Sequence, residues 1–295
     1  MLVKFMGRSG LITFIAVAAL TIFASALNAE TEDKEDCVRH NFDSYFRYMP
    51  SRKADSQSGK IGIMEADSEY SYEFKAFDKL PVKFSLDNKY IGIENTTGVE
   101  LPAHLVGLTG DIETTLPFFN LDKTYLRLGV SPSFYGEDWD FETSQFRIPS
   151  RYFLIHSPND RWTFIAGIAV YPDFEREVWP ILGFIYKAND KLTFNIVPKR
   201  PTISYLLNDR ITLFAEGGAS FNSEFEVTKD NLKNVVLRYQ ERHLGAGIKY
   251  KVNKFIQSSI SAGGAFNRSL KYRDSLGKVE IKDGAYAEFR LEIRI

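Results

Sequence analysis

The chain has 295 residues, of which 44% are hydrophobic and 14% aromatic, including 24 phenylalanines and 15 tyrosines. Its 37 basic and 38 acidic side chains give a formal net charge of −1, so it lacks the basic excess that nucleic-acid binding requires, and we exclude nucleic acid as a partner. Aromatic residues at this density are typical of β-strands and of the girdles of membrane barrels.

The first 29 residues have the composition of a secretory signal peptide. Two basic residues precede an apolar run over 11–23, and small residues follow it. We predict cleavage after Ala26 or Ala29. An uncleaved membrane helix is the alternative, because residues 10–27 reach the lower end of the length that spans a bilayer.

Residues 30–67 are polar and show no sustained apolar period. We interpret them as a periplasmic lead-in or partial plug, with a short helix around residues 42–48. Cys37 is the only cysteine, so an intramolecular disulfide is excluded. Alternation of apolar and polar residues begins near Ser68, and we assign residues 68–295 to one domain.

From about residue 120 onward, short polar turns alternate with longer polar segments. Bacterial outer-membrane barrels keep their periplasmic turns short and let their extracellular loops grow. This rhythm therefore predicts an all-β, transmembrane, antiparallel up-and-down β-barrel in the bacterial outer membrane, following a cleaved signal peptide. The short turns fall at 120–123, 157–160, 187–190, 208–209 and 252–254, and the longer segments near 136–142, 172–178, 198–201, 228–234 and 273–283.

The last segment, 285–295, alternates most clearly. Its odd positions are apolar from Ala285 to Ile295, whereas its even positions are Tyr, Glu, Arg, Glu and Arg. An arginine on the lipid face near the midplane costs about 2 to 4 kcal/mol, so Arg290 and Arg294 must face the lumen or lie near an interface. A water-soluble sandwich would also alternate, but the secretion signal and the loop rhythm favour the barrel.

Counting strands back from the C-terminus gives about 12, within a range of 10 to 14. An even number places both termini in the periplasm. The segments near 192 and 202 fall short of the roughly 9 to 11 residues that a spanning strand needs, and residues 68–77 are a candidate extra strand.

Several turn and strand patterns carry a resemblance to a known family. The chain resembles an uncharacterised family of bacterial outer-membrane β-barrel proteins, known as a domain of unknown function; the resemblance implies the barrel and supplies no activity. The patterns lie at 161–163, 171–173, 179–183, 189–192, 196–198 and 205.

The C-terminus is similar to the signal by which the barrel-assembly machinery recognises its clients. Residues 282–284 followed by Ala287 and Phe289 fit that signal, although Ala287 stands where an aromatic residue is usual and the last residue is Ile295 rather than Phe. The similarity implies that this machinery is a partner during biogenesis.

Histidines are the residues that an enzyme of this architecture would use, and there are four. His156 and Ser157 are adjacent and point to opposite faces of a strand. Glu241 and His243 share a face and could couple inside the barrel as a lipid-modifying hydrolase site, but an ordinary polar side chain in a wet lumen is the preferred interpretation. We therefore predict no enzyme activity, no catalytic residue and no cofactor.

Metal binding is not predicted either, because the acidic residues of 137–142 read as a solvated extracellular loop. The expected lumen carries both charge signs, whereas strongly selective pores present rings of one sign. The candidate lumen-facing residues are Arg127, Arg147, Arg151, Glu216, Glu241, His243, Glu288 and Arg290.

These observations lead to three hypotheses for function. The first is a narrow pore or uptake channel for small solutes, embedded among outer-membrane lipids. The second is a plugged structural or adhesive barrel whose extracellular loops bind a partner that the sequence does not identify. The third, the hydrolase, is the least favoured.

Overall fold

A computed structural model describes residues 39–295 apart from positions 56, 78–79, 120, 141, 221–222, 230–231 and 274–275. The predicted signal peptide and Cys37 lie outside the described residues. The described part of the chain is almost entirely β-structure, with one 3-10 helix at Thr143–Gln145. The strands are β1 Arg39–Lys53, β2 Lys60–Ala76, β3 Leu80–Asn95, β4 His104–Pro117, β5 Thr124–Val130, β6 Ser133–Gly136, β7 Phe146–Arg147, β8 Ser150–Asn159, β9 Trp162–Val170, β10 Val178–Lys187, β11 Leu192–Ile196, β12 Thr202–Leu206, β13 Ile211–Ala219, β14 Ser223–Lys229, β15 Leu232–Lys251, β16 Ile256–Tyr272, β17 Lys278–Ile281 and β18 Gly284–Arg294.

The strands form a closed antiparallel barrel. Neighbours in the chain pair with one another, and β1 closes the ring by pairing with β18 from Asn41↔Arg294 to Tyr48↔Ala287. Four barrel strands are each divided into two segments. Segments β5 and β6 both pair with β4, and β7 and β8 follow one another along the next barrel strand. Segments β13 and β14 both pair with β15, and β17 and β18 both pair with β16. The barrel therefore has 14 strands.

The 14 strands lie at the upper limit of the predicted range of 10 to 14, and the count of about 12 was too low because the first two barrel strands lie where we predicted a lead-in. Residues 39–53 form β1 and residues 60–76 form β2, so the barrel begins at Arg39 rather than at Ser68. The predicted helix around 42–48 is a strand. In β1 the inward Tyr45 and Met49 are as bulky as the outward Phe46 and Tyr48, so the two faces differ little in character and the alternation is hidden.

The outer surface of the barrel is apolar. Leu244, Ile260 and Phe289 point outward, with exposures of 63%, 66% and 47%. The odd positions of the last strand thus form its outer face, and Glu288, Arg290 and Glu292 form its inner face. No helix among the described residues is long and apolar enough to cross a membrane.

The two ends of the barrel differ. The end that holds both termini has compact turns, such as residues 160–161 and 188–191, whereas the other end carries longer connections, such as 96–103 and 137–145. Aromatic rings gather on the outer surface near the compact turns, where Trp162 stacks on Tyr186 at 4.1 Å between ring centroids. This is the position of an interfacial girdle, and we call the long-loop end the outer mouth.

A hairpin closes the outer mouth. Strands β14 and β15 fold inward, and Glu226 of β14 forms a parallel bridge to Gly136 of β6, which lies nearly opposite in the barrel. Apolar side chains of this hairpin meet those of β1 to β4 and of β16 to β18 inside the barrel. The resulting core contains Met49, Ala54, Ile61, Ile63, Ile91, Ile93, Leu105, Phe225, Val227, Val235, Leu237, Tyr239, Ala265, Leu270, Tyr272, Val279, Ile281 and Tyr286.

Candidate site in the barrel lumen

A buried charge network lies directly below the apolar core. At its centre is Arg47, whose side chain is 7% exposed. Its Nη2 donates to Glu288 Oε2 at 2.6 Å, while its Nη1 lies 3.3 Å from Glu241 Oε1 and 3.5 Å from Glu65 Oε2. One guanidinium thus neutralises carboxylates from three separate strands. The register explains the meeting, because β1 lies between β2 and β18.

A second arginine extends the network toward the opposite wall. Arg200 precedes β12, and its Nη2 donates to Glu216 Oε2 at 2.5 Å and to Glu288 Oε1 at 3.0 Å. Ser261 Oγ donates to the other oxygen of Glu216 at 2.6 Å. Glu288 is therefore shared between Arg47 and Arg200, and the lumen is bridged at this level.

His243 fits into this network with both ring nitrogens engaged. Its Nδ1 lies 3.2 Å from both Glu241 Oε1 and Arg47 Nη1, and its Nε2 lies 3.2 Å from Arg47 Nη2. A guanidinium only donates, so Nε2 is the acceptor of the neutral ring, and the proton on Nδ1 is donated to the Glu241 carboxylate. Glu241 in turn accepts from the Tyr239 hydroxyl. The predicted pairing of Glu241 and His243 on one face is present, but it belongs to a filled structural network.

The lower lumen, toward the compact turns, is lined by more open ion pairs. Arg290 Nη1 lies 2.8 Å from Asp43 Oδ1, and Arg151 Nη2 lies 2.6 Å from Asp111 Oδ2. Arg127 Nε lies 3.5 Å from a Glu113 oxygen, with the arginine side chain 42% exposed. Mixed charge therefore continues below the central network.

The eight residues that we selected from the sequence fall into three places. Glu216, Glu241, His243 and Glu288 lie in the central network, and Arg127, Arg151 and Arg290 line the lower lumen. Arg147 lies at the outer mouth, where its Nη2 donates to Glu226 Oε1 at 2.8 Å. The selection missed Arg47 and Glu65, which lie in the presumed lead-in, and Arg200, which lies in a presumed loop.

An ionic latch holds the hairpin in place. Glu175, in the β9–β10 loop of residues 171–177, lies 3.0 Å from Arg238 Nη1 and 3.3 Å from Lys271 Nζ. Partial burial acts to raise the pKa of Glu175, but the hydrogen bonds from Arg238 and Lys271 outweigh it and lower that pKa below its usual value. The backbone N–H of Glu175 also donates to Glu224 of β14 at 3.1 Å. The latch joins the loop to both strands of the hairpin.

An inward loop, residues 197–201, enters the lumen between β10 and β13. Lys199 has φ of +91°, in the left-handed region that side chains rarely adopt. The segment passes close over Gly183, where an added Cβ would lie 3.0 Å from Val197 Cα. The Lys199 ammonium interacts electrostatically with Asp67 and Asp87 on the facing wall.

In the described part of the chain, one fully buried arginine makes no hydrogen bond through its guanidinium. Arg268 of β16 is 2% exposed, and its three guanidinium nitrogens are buried without a hydrogen bond among the described residues. It lies opposite Ile281 and near Tyr239, at the base of the apolar core. A buried charge without a partner is costly, so the closed hairpin holds an unfavourable group inside it.

The described residues contain no group of histidine, cysteine or acidic side chains that could hold a metal ion. The long-loop acids of 137–142 accordingly form no such cluster within the described positions. The lumen instead contains ion pairs, which lie below the apolar core.

Taken together, the closed ring, the apolar exterior and the polar interior define the class: a transmembrane β-barrel of the outer-membrane type, capped at one mouth. Residues 140–292, more than half of the chain, match the family described as a domain of unknown function, DUF6268. The chain belongs to that family. A comparison with curated proteins finds no match.

Three solved structures with similar folds are distant in sequence. An outer membrane channel from Pseudomonas putida F1 is 9% identical with a TM-score of 0.48, over 90% of this chain and 99% of that one. A FadL homologue from Pseudomonas aeruginosa is 12% identical with a TM-score of 0.45, over 88% and 90%. The translocator domain of the autotransporter NalP from Neisseria meningitidis is 10% identical with a TM-score of 0.39, over 96% and 98%. We draw no functional conclusion from likenesses at this level.

Proposed function

We propose that this protein is an outer-membrane uptake channel for small solutes and that the structure is its closed state. The observation that carries the proposal is the hairpin of β14 and β15, which seals an otherwise polar lumen at the outer mouth. The hairpin contacts the far wall through one β-bridge, Glu226↔Gly136, through the ion pair of Glu226 with Arg147, and through the ring contact of Phe225 with Tyr135. Among the described residues, backbone pairing across the mouth is limited to this one bridge, and the Glu175–Lys271 ion pair, whose side chains are 41% and 40% exposed, can be exchanged for water at modest cost.

A plugged structural barrel is the second candidate. It is favoured by the apolar core, in which Leu237 and Leu270 are fully buried. If the core never opens, the lumen conducts nothing, and the long loops at the outer mouth are the surfaces left to bind a partner.

We propose no catalytic activity. A general base needs a free acceptor within reach of its substrate, and the Nδ1 and Nε2 atoms of His243 are both engaged by Glu241 and Arg47. The third hypothesis therefore receives no support from the geometry around this histidine.

Conductance of a hairpin-shortened variant separates the two candidates. Ser223 and Tyr239 are paired across the hairpin, so replacing residues 224–238 with an Asn-Gly turn shortens both strands in register. In planar bilayers we expect the wild type to be closed most of the time and the variant to show long-lived conducting steps, because the seal is gone. A variant that is folded, as judged by heat-modifiable gel mobility, yet silent would support the plugged barrel.

The latch gives a milder test that keeps the hairpin intact. Glu175→Gln removes the charge that Arg238 and Lys271 bind, and we expect openings to become more frequent. The lowered pKa gives the pH dependence: the latch is complete above the ordinary carboxyl range and is lost as the pH falls through the pKa of Glu175 in the closed state, so acid should open the wild type.

Glu177→Gln is the matched control, because Glu177 lies in the same loop and forms no ion pair among the described residues. Equal opening frequencies in the two variants would contradict a latch role for Glu175.

A further inference from the structure

The barrel wall is incomplete on one side. Strand β10 pairs with β9 along its whole length, from Val178 to Tyr186, but pairs with β11 only along 184–187. Strand β13 pairs with β12 up to Glu216, and above this level residues 217–219 pair only with β15. In the upper half of the wall, the edges of β10 and β13 thus face each other with no described strand between them.

We place this gap at membrane depth, because Leu182, on the outer face of β10 at the same height, is 74% exposed. Strands β11 and β12 have five residues each, whereas a spanning strand needs about 9 to 11. Open sheet edges do not occur against hydrocarbon unless they line a cavity or are covered by protein. Pro180, which cannot donate to a neighbouring strand, lies in the unpaired half of β10. This edge of β10 therefore cannot form a complete set of hydrogen bonds with a further strand.

The inward loop covers the base of the gap. The Gly217 N–H donates to the Pro201 carbonyl at 2.9 Å, and residues 196–198 pack on Gly183 from the other side. These contacts tie the loop to both edges at mid-height. Above the loop, Gly218 and Ala219 line the β13 edge.

The inner wall beside the gap is apolar. Phe153 shares a face with Arg127, which reaches Glu113 in the lumen, so Phe153 also points inward. Gly167 is paired with both Phe153 and Ile181, so Ile181 also points inward. Ile165 and Ile185 lie two and four residues from these positions on the same strands and point the same way. All four are half-buried rather than sealed in a core. Strands β9 and β10 are thus apolar on both faces, as expected of strands with apolar contacts on both sides.

We propose that the gap between β10 and β13 is a lateral entrance. A small uncharged apolar molecule passes through it from the outer leaflet onto the lumenal surface formed by Phe153, Ile165, Ile181 and Ile185. The proposal rests on the uptake function and names the substrate class. The molecule enters from the outer leaflet, because the gap opens at membrane depth while the hairpin closes the aqueous mouth. The inward loop forms the lower border of this entrance.

Two glycines at one height provide the test of entry. Gly217 on the gap edge and Gly264 on β16 both point outward, and each lies beside Leu244 in the register. An added Cβ at Gly217 has no neighbour closer than 3.6 Å, and at Gly264 it has none within 4 Å. Phenylalanine is therefore accommodated at both positions, but only Gly217→Phe narrows the gap.

The measurement uses the full-length protein in lipid nanodiscs with the apolar dye N-phenyl-1-naphthylamine. With Trp139 and Trp162 replaced by phenylalanine in every protein compared, energy transfer from Trp179 on β10 reports dye beside that wall, and empty nanodiscs give the background. We expect saturable transfer in the wild type, a slower rise with the same end point in Gly217→Phe, and wild-type behaviour in Gly264→Phe. Ile181→Asn should weaken the affinity by about tenfold or more, the scale of a lost apolar contact in a binding site.

Absence of saturable transfer in the wild type would overturn the proposal, and so would equal rates in the two phenylalanine variants. If Ile181→Asn caused no loss of affinity, the lumenal surface formed by Phe153, Ile165, Ile181 and Ile185 would not be the binding site of the dye. Failure here is distinguishable from failure of the proposed function: the hairpin-shortened variant conducts through the outer mouth whether or not dye enters from the side.

Discussion

Replacing Arg47 with methionine is expected to destabilise the folded barrel by about 3 to 5 kcal/mol, the cost of removing one partner from a buried ion pair. The reason is that the buried carboxylates of Glu65 and Glu241 lose their guanidinium partner and that of Glu288 keeps only Arg200 and, at 3.6 Å, Arg290. Urea unfolding of the protein refolded into vesicles, followed by tryptophan fluorescence, measures the change in the free energy of unfolding.

Arg127→Met is the matched control. Its pair with Glu113 is 3.5 Å long and its side chain is 42% exposed, so the loss should not exceed about 1 kcal/mol. A similar loss in both variants would mean that the central network is hydrated and that Arg47 has no special weight.

Replacing Arg268 with methionine should have the opposite sign and stabilise the closed barrel by about 2 kcal/mol or more, because it removes a buried charge that has no partner. Methionine also fills the space with an apolar chain compatible with the surrounding core. The same unfolding experiment measures the gain. If the hairpin is a gate, opening hydrates the arginine, so Arg268→Met should also make conducting steps rarer.

Lys282→Met is the control for this prediction, because its pair with Asp55 is 3.6 Å long and half-exposed, and the change should stay within about 0.5 kcal/mol. Destabilisation by Arg268→Met would contradict the expectation and would indicate that the guanidinium has a hydrogen-bonding partner in the folded protein.

The sequence was sufficient for the outer features of the fold. Alternation over 285–295 predicted the inner and outer faces of β18, because a strand side chain can point only two ways. The segments near 192 and 202 were predicted to be short, and β11 and β12 have five residues each. Turn chemistry placed most of the compact turns, since Asn and Asp bond to their own backbone there, as Asn189 does.

The contacts between side chains inside the barrel could not be predicted from the sequence, for a physical reason. The partners of Arg47 lie 18, 194 and 241 residues away in the chain, and only ring closure brings them together. In β1, the inward Tyr45 and Met49 add bulky residues to the outward Phe46 and Tyr48, so the segment reads as a continuous run. Nothing local distinguishes a hairpin that folds into the lumen from one that extends outward.

The pairing of the first strand with the last has a consequence for assembly. Glu288 arrives on the final strand, 241 residues after the arginine that it neutralises. Until then a growing barrel has an unpaired hydrogen-bonding edge on β1, and Arg47 lacks the carboxylate that it contacts at the shortest distance, 2.6 Å. Pairing of the last strand with the first supplies the missing backbone hydrogen bonds and the missing carboxylate in one step. A chain truncated before the last strand should therefore be less stable in the bilayer for both reasons, and a partial barrel released early should not persist there.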